Sequence, residues 1–88
     1  MGRSAHNIES VVLQVIADVL EKPAKEINMR ASFAHDLGAG ELDMAEILTN
    51  LEYQLTITIP DFDEGRVRTV DRLTHRILAC YRREYGRF

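Results

Sequence analysis

Apolar residues recur at helical spacing along the first part of the chain, and this pattern is the strongest constraint on its fold. They occur at Ile8, Val11, Val12, Val15, Ile16, Val19 and Leu20. Spacings of three and four residues place them on one face of an α-helix, which must be buried against other elements. Pro23 disfavours helical backbone at Lys22 and ends the pattern. The chain is therefore expected to begin with an amphipathic helix that needs packing partners.

Two further helices are predicted, one beginning near Gly40–Glu41 and one beginning after Thr69. In the second helix we assign the apolar face to Leu42, Ala45, Leu48, Leu51 and Leu55, with Met44 and Ile47 beside it. The apolar residues of the last helix are Val70, Leu73, Ile77, Cys80 and Tyr81. The apolar residues of 24–40 have no regular spacing, which predicts a long loop. We expect Phe33 and Leu37 to anchor this loop to the core.

The rest of the chain fits a single small domain. Thr56–Ile59 alternates like a strand, but Pro60 ends it and no second strand is predicted, so it is interpreted as an extended linker. A short helical turn is predicted over 61–67. A chain of 88 residues has one modest core. The prediction is one domain, residues 1–88, with a core over about 5–81 and a basic C-terminal extension over 82–88.

Charge is segregated along the chain. Residues 31–65 contain eight acidic residues and no Lys or Arg, whereas residues 66–88 contain seven Arg and two acidic residues. An acidic surface attracts partners lined with Arg or Lys and repels nucleic acid. Neither the start of the chain nor its apolar stretches suggest a signal peptide or a membrane span, so a cytoplasmic location without membrane contact is expected.

The sequence shows no motif for catalysis or for metal binding. His6, His35 and His75 are far apart, and none has ligand spacing with the single cysteine, Cys80. Cys80 lies on the apolar face of the last helix, which favours a core residue over a nucleophile. Asp61, Asp63 and Glu64 lack the spacing of a calcium loop and are interpreted as a solvated turn. We expect neither an enzyme nor a metal protein.

Residues 31–46 carry a family resemblance. They read Ala-Ser-Phe-Ala-His-Asp-Leu-Gly-Ala-Gly-Glu-Leu-Asp-Met-Ala-Glu. This run resembles the signature of acyl carrier proteins, in which Phe and Asp-Leu-Gly precede Asp-Ser-Leu at the start of the second of four helices. Leu51-Glu52, Ile57–Pro60 and Thr69-Val70 resemble later parts of the family pattern. The resemblance implies an all-α, right-handed four-helix bundle with a long first loop and a short third helix.

The chain departs from the family at one position. The family's serine, which carries 4′-phosphopantetheine on its hydroxyl, is replaced here by Glu41, and the Asp before it by Gly40. A carboxylate is well tolerated at a helix N-terminus, but it offers no hydroxyl for a stable phosphodiester. We therefore expect Glu41 to occupy the cofactor position without attachment, and no bound cofactor.

The resemblance is compatible with two main hypotheses about function. In the first, the domain is a monomeric, non-carrying interaction module for a partner with a basic patch, such as an acyl-transfer or synthase enzyme of fatty-acid or polyketide type. The partner-binding residues would be Asp36, Asp43, Met44, Glu46, Ile47 and Glu52. In the second, it is a genuine acyl carrier, holding the acyl chain as a thioester, whose attachment serine has been exchanged for Glu41. A small helical nucleic-acid-binding domain, based on the arginines, is a further alternative that the acidic middle disfavours.

Overall fold

A computed structural model of the chain describes residues 5–60 and 67–86. These residues form three α-helices, α1 (Ala5–Leu20), α2 (Glu41–Leu55) and α3 (Val70–Tyr85), with a 3₁₀ turn at Ala24–Glu26. The described residues contain no strand, only an isolated antiparallel bridge between Ser32 and Thr69. The predicted all-α fold is thus confirmed, while the short helical turn predicted over 61–67 falls almost wholly outside the described residues.

Helix α1 is the element against which the other two helices pack. The predicted stripe supplies its buried residues, which are Ile8, Val12, Val15 and Ile16, together with Ala17. The helix ends at Leu20 because Glu21 adopts a left-handed conformation, with φ of 56°. The amide of Lys22 then donates to the carbonyl of Ala17 at 3.0 Å. Burial of the stripe between two helices offsets the weak helix propensity of its β-branched residues.

The long first loop is joined to the start of α3 by backbone hydrogen bonds. The first amides of α3 have no partner within the helix. Here the Val70 amide donates to the Ala31 carbonyl at 3.1 Å, and the Asp71 amide donates to the Met29 carbonyl at 2.7 Å. In return, the Phe33 amide donates to the Arg68 carbonyl at 2.9 Å. The loop therefore caps the last helix, and the helix holds the loop in place.

The middle of the loop forms a tight turn that carries Phe33 into the core. The amides of Asp36 and Leu37 both donate to the Ser32 carbonyl at 3.0 Å, and the Ser32 amide donates to the Asp36 carboxylate at 2.7 Å. The Ala39 amide closes the turn on the Phe33 carbonyl at 2.7 Å. Phe33 is 4% exposed and Leu37 is half-buried against the core, which confirms both as apolar anchors of the loop.

The linker after α2 is held by α3. Thr56 has φ of 51°, a left-handed conformation that ends α2. The Tyr85 hydroxyl donates to the Thr56 carbonyl at 2.5 Å, and the Arg76 guanidinium donates to the Pro60 carbonyl at 2.6 Å. Ile57 is buried, and α3 continues to Tyr85. In the described part of the chain, no helix has the length and apolar character needed to cross a membrane.

Replacement of Phe33 by Ala is expected to lower the free energy of unfolding by about 3–5 kcal/mol, because it leaves a cavity where the loop meets the core. Tyr53→Ala is the matched control, since that ring is 86% exposed and its removal leaves no cavity. Chemical denaturation of both variants measures the difference. Equal midpoints for Phe33→Ala and the unaltered chain would contradict the role of Phe33 as an anchor.

The start of α3 is expected to contribute to stability in a pH-dependent manner. The Thr69 hydroxyl donates to the Asp71 carboxylate and, as the largest of several influences, holds the pKa of Asp71 below its usual 3.8. A lowered pKa in the folded state stabilises the fold above the unfolded-state pKa, and this contribution is lost as the pH falls through the folded-state value.

Asp71→Asn should therefore remove part of the acid sensitivity of folding. The measurement is the free energy of unfolding of both chains between about pH 6 and about pH 2, a range that brackets the usual Asp pKa. The difference between them should shrink as the pH falls. A constant difference over the whole range would show that the charge of Asp71 does not contribute.

Candidate functional site

The N-terminus of α2 holds Glu41 at the surface. Gly40 is the N-cap, and its carbonyl accepts the first helical hydrogen bond from the Met44 amide at 3.0 Å. Its amide donates to the Asp43 carboxylate at 3.0 Å. Such a reciprocal contact satisfies a donor at the helix start. Glu41 is consequently the first residue of a well-defined helix, with its side chain exposed to solvent.

A cleft of about 520 Å³ opens beside Glu41. Its described lining residues are Ser32, Phe33, Ala34, His35, Ala39, Gly40, Glu41, Met44, Val67 and Arg68. Buried Phe33, Met44 and Val67 supply apolar surface, whereas His35 and Glu41 are exposed. The helix start, the loop turn and the segment before α3 therefore meet at one depression, which the loop-to-α3 hydrogen bonds hold together.

Ser32 provides the one hydroxyl among the described residues that line this cleft. It is half-buried, its backbone takes part in the bridge to Thr69, and its Oγ accepts a hydrogen bond from the His35 amide at 3.1 Å. Ser32 thus shapes the turn before Asp36. The position that begins α2 itself offers the carboxylate of Glu41 and no hydroxyl.

The structure corrects the predicted faces of α2. Met44 and Ile47 were expected to contact a partner, but they are 5% and 0% exposed and belong to the core. Conversely, Leu42 was assigned to the buried face but is 88% exposed. Tyr53, which was assigned to no face, is 86% exposed. An apolar partner contact on α2 would therefore involve Leu42 and Tyr53 instead.

The reason for this error is geometric. Each residue is rotated by about 100° around the helix axis, so residues spaced three apart move gradually around the helix. Leu42 therefore lies about 180° from Leu51, on the opposite side of α2. Met44, Ile47, Leu51 and Leu55 cluster within about 80° on the same wheel, and all four are buried. The same arithmetic places Leu42, Glu46 and Tyr53 together on the outer side. The helical wheel of the sequence therefore contains this signal, whereas the spacing of the leucines alone points to the wrong face.

The acidic residues predicted to bind a partner fall into two groups. Asp36, Asp43 and Glu52 accept hydrogen bonds within the chain, from the amides of Ser32, Gly40 and Ile59 respectively. Their carboxylates stabilise turns and helix ends, which the sequence analysis did not anticipate. The fourth predicted acidic residue, Glu46, is exposed and makes no hydrogen bond or ion pair with the described part of the chain. The same is true of Glu41, which the sequence analysis assigns to the cofactor position and not to partner binding.

No group of His, Cys, Asp and Glu in the described residues is placed to hold a metal ion. His6, His35 and His75 are all exposed, and they lie in α1, the first loop and α3. Cys80 is a free thiol buried in α3, as its place in the apolar pattern predicted. The acidic triplet Asp61, Asp63 and Glu64 lies outside the described residues.

Comparison with known proteins agrees with this architecture. Residues 10–77 match the sequence model of the family described as "Phosphopantetheine attachment site". The acyl carrier protein of Clostridium acetobutylicum is 40% identical over 68 residues, which covers 77% of this chain and 88% of that protein. Acyl carrier proteins from two strains of Porphyromonas gingivalis are 36% identical over 63 residues, or 72% of this chain and 81% of theirs.

The chain belongs to the acyl carrier protein family. Proteins of this family are carriers of 4′-phosphopantetheine and not enzymes. The matched region contains the start of α2, so that Glu41 and its cleft lie within the part of the chain that resembles these carriers. Family membership thus confirms the predicted resemblance and the helical fold that it implies.

Proposed function

We propose that this member of the acyl carrier protein family acts as a non-covalent protein-interaction module and does not carry phosphopantetheine at position 41. The observation that supports the proposal is the exposed carboxylate of Glu41 on the first residue of α2. The resemblance assigns this position to the attachment serine. The chain thus keeps the fold and replaces the one chemical group that attachment requires.

The chemistry of attachment explains why this replacement matters. A serine oxygen that attacks the pyrophosphate of coenzyme A breaks its P–O–P linkage, releases adenosine 3′,5′-bisphosphate and forms a stable phosphodiester. A carboxylate oxygen in the same place would form an acyl phosphate, a mixed anhydride that water cleaves readily. The fold itself tolerates Glu41, because an anion in the first turn of a helix is favoured by about 0.3–1 kcal/mol.

The alternative is a genuine acyl carrier whose attachment serine has been exchanged for Glu41. The similarity over residues 10–77 favours this candidate as much as the first, since the two differ at a single side chain. In a genuine carrier the thioester chemistry belongs to the prosthetic thiol, and the protein supplies its presentation.

Mass spectrometry after incubation with coenzyme A and a phosphopantetheinyl transferase tests attachment directly. We expect the intact mass of the unaltered chain to stay constant and that of Glu41→Ser to rise by one phosphopantetheine group. Glu41→Ala is the matched control, since it removes the carboxylate without adding a hydroxyl. A mass gain on the unaltered chain would refute the non-carrying proposal, and Ser32→Ala would then test whether Ser32 had been modified.

The docking surface that we propose is the outer face of α2, formed by Leu42, Ala45, Glu46, Thr49 and Tyr53 and bordered by Glu41. All six side chains are exposed. Leu42 and Tyr53 provide apolar contact area, and Glu46 provides a charge that no ion pair with residues 5–60 or 67–86 neutralises. Asp36, Asp43 and Glu52 add negative potential from their structural positions. A partner for this face would carry Arg or Lys around an apolar centre, as in an acyl-transfer or synthase enzyme.

The transferase provides a defined partner for testing this face. In the Glu41→Ser background, adding Glu46→Lys is expected to lower kcat/KM for modification, mainly through slower association, because charges at an interface edge steer encounter. Glu26→Lys in the same background is the control, since Glu26 is exposed and outside α2. Higher salt should reduce the difference between the variants.

Folding should not suffer from Glu46→Lys. Lys at this position would lie three residues after Asp43 and replace a like-charge neighbour, a gain of about 0.2–0.5 kcal/mol. A variant that is as stable as its parent but slower to be modified is the expected result. A kcat/KM that changes neither with Glu46→Lys nor with salt would rule out an electrostatic role for the outer face.

A further inference from the structure

Helix α3 has a basic outer face that the proposed function does not use. It is formed by Arg72, Arg76, Ala79 and Arg83, with His75 and Arg82 at its edge. These residues occupy about a third of the helix circumference at about 100° per residue. The acidic residues of α3, Asp71 and Glu84, lie outside this arc. The face therefore bears one sign of charge along most of the helix, opposite the buried residues Val70, Leu73 and Ile77.

The fold accounts for only part of this basic face. Arg76 donates to the Pro60 carbonyl, and Arg82 also makes a contact within the chain. Arg83 is exposed and makes no hydrogen bond or ion pair with the described residues. Arg72 is also exposed, and its interaction within the described chain is with the preceding residue, Asp71, whose carboxylate accepts from the Arg72 amide. Like charges spaced four residues apart, as in Arg72 and Arg76, disfavour a helix. This repulsion would be relieved by an anionic surface placed against the face.

The outer face of α2 has the complementary character. Residues 31–60 contain no Lys or Arg. Glu41 and Glu46 form no hydrogen bond or ion pair with the described residues, and Leu42 and Tyr53 are almost fully exposed. Arginine side chains pair with carboxylates and also stack on tyrosine rings. Ala79, at the middle of the basic face, allows close approach of another helix.

The two faces also match in length. Leu42 to Tyr53 and Arg72 to Arg83 are both separated by eleven residue steps, which is about 16 Å along a helix. Apart from Arg76, which is half-buried, the residues that form both faces are exposed in a single copy, so the two faces do not satisfy each other within one molecule. A pairing between them requires a second copy.

We propose that the basic face of α3 docks on the outer face of α2 of a second copy of this chain. This inference rests on the proposed role of the α2 face as a docking surface and names an occupant for it. The contact is heterologous, because each copy offers one face and keeps the other free. It is expected to be weak and salt-sensitive, since exposed ion pairs contribute little individually. An external basic partner would compete with it for α2.

The experiment is sedimentation velocity over a concentration series of the full chain. At about 0.01 M salt the Debye length is about 30 Å, and at about 1 M it is about 3 Å. We expect the weight-average sedimentation coefficient to rise with concentration at low salt and to remain that of the monomer at high salt. Monomeric behaviour at every concentration in low salt would overturn the proposal.

Charge-reversal variants locate the contact. Arg72→Glu with Arg83→Glu should abolish the concentration dependence at low salt, and Glu46→Arg should do the same from the other face. Lys25→Glu with Arg30→Glu is the matched control, because it changes the net charge equally at exposed sites outside α3 and should reduce association less. Thermal melting confirms that each variant is folded. Equal loss in the control would mean that net charge governs the effect, and would overturn the proposal.

Mixing the reversed chains gives the decisive measurement. The α3 double variant retains an intact α2 face, and Glu46→Arg retains an intact basic face, so the mixture should regain a complex that neither chain forms alone. A mixture that remains monomeric would overturn the proposal. Binding of duplex DNA to the basic face at low salt, in a chain that does not self-associate, would also overturn the proposal.

The outcome is separable from that of the proposed function. The α3 variants leave the α2 face unchanged, so in the Glu41→Ser background they should be modified by the transferase at the unaltered rate in dilute solution. Loss of self-association in these variants, with unchanged modification, supports the contact between copies. Glu46→Lys could leave the rate of modification by the transferase unchanged while the α3 reversal still abolishes self-association. That result would refute the proposed docking of other proteins on α2 and would leave the contact between copies in place.

Discussion

The fold depends on the backbone contact between the first loop and the N-terminus of α3. Val70 and Asp71 would otherwise present unpaired amides at the start of their helix, and the carbonyls of Ala31 and Met29 accept from them. Buried or half-buried helix ends need such partners. The contact also fixes the loop, so that Phe33 reaches the core between the helices. A long irregular segment thus becomes a structural element, because it supplies hydrogen bonds that a helix lacks.

The geometry around Glu41 follows from the same contact. The turn that begins at Ser32 closes on Phe33 through the Ala39 amide and leads into Gly40, the N-cap of α2. The side chains of Asp36 and Asp43 complete this path by accepting backbone amides. Several acidic residues of the middle segment are therefore structural, while Glu41 and Glu46 make no hydrogen bond or ion pair with the residues that the structure describes. The fold and the proposed docking surface thus draw on different carboxylates of the same acidic segment.

In the function that we propose, the carboxylate at position 41 separates the shape of a carrier from its covalent chemistry. The helix start accepts either side chain, since its dipole and its free amides favour an anion. What changes is the reactivity of the exposed group beside the cleft. Under the proposed function, the segregation of charge between α2 and α3 is the main feature with which this small domain would recognise another protein. Most of its binding energy would come from a narrow face that combines Leu42 and Tyr53 with acidic residues.

The sequence by itself determined the helices and the departure at Glu41. The stripe of α1 and the apolar residues of α3 were identified correctly, because helical spacing directly reports which side is buried. Phe33 and Leu37 were recognised as anchors because an irregular loop offers few other apolar residues. The family resemblance followed from residues 31–46, where Phe33 and Asp36-Leu37-Gly38 precede the start of α2. Residue types at fixed positions carry this information independently of packing.

Only the tertiary structure decided which carboxylates the fold uses for its own hydrogen bonds. The buried side of α2 follows from the helical wheel, which places Met44 and Ile47 with Leu51 and Leu55, whereas no periodicity reports the partners of the acidic side chains. The hydrogen bonds from Ser32, Gly40 and Ile59 to acidic side chains join residues through particular turns. The capping of α3 by residues 29–31 joins segments about forty residues apart in the chain. Contacts of this kind depend on backbone paths in three dimensions, and local sequence patterns do not encode them.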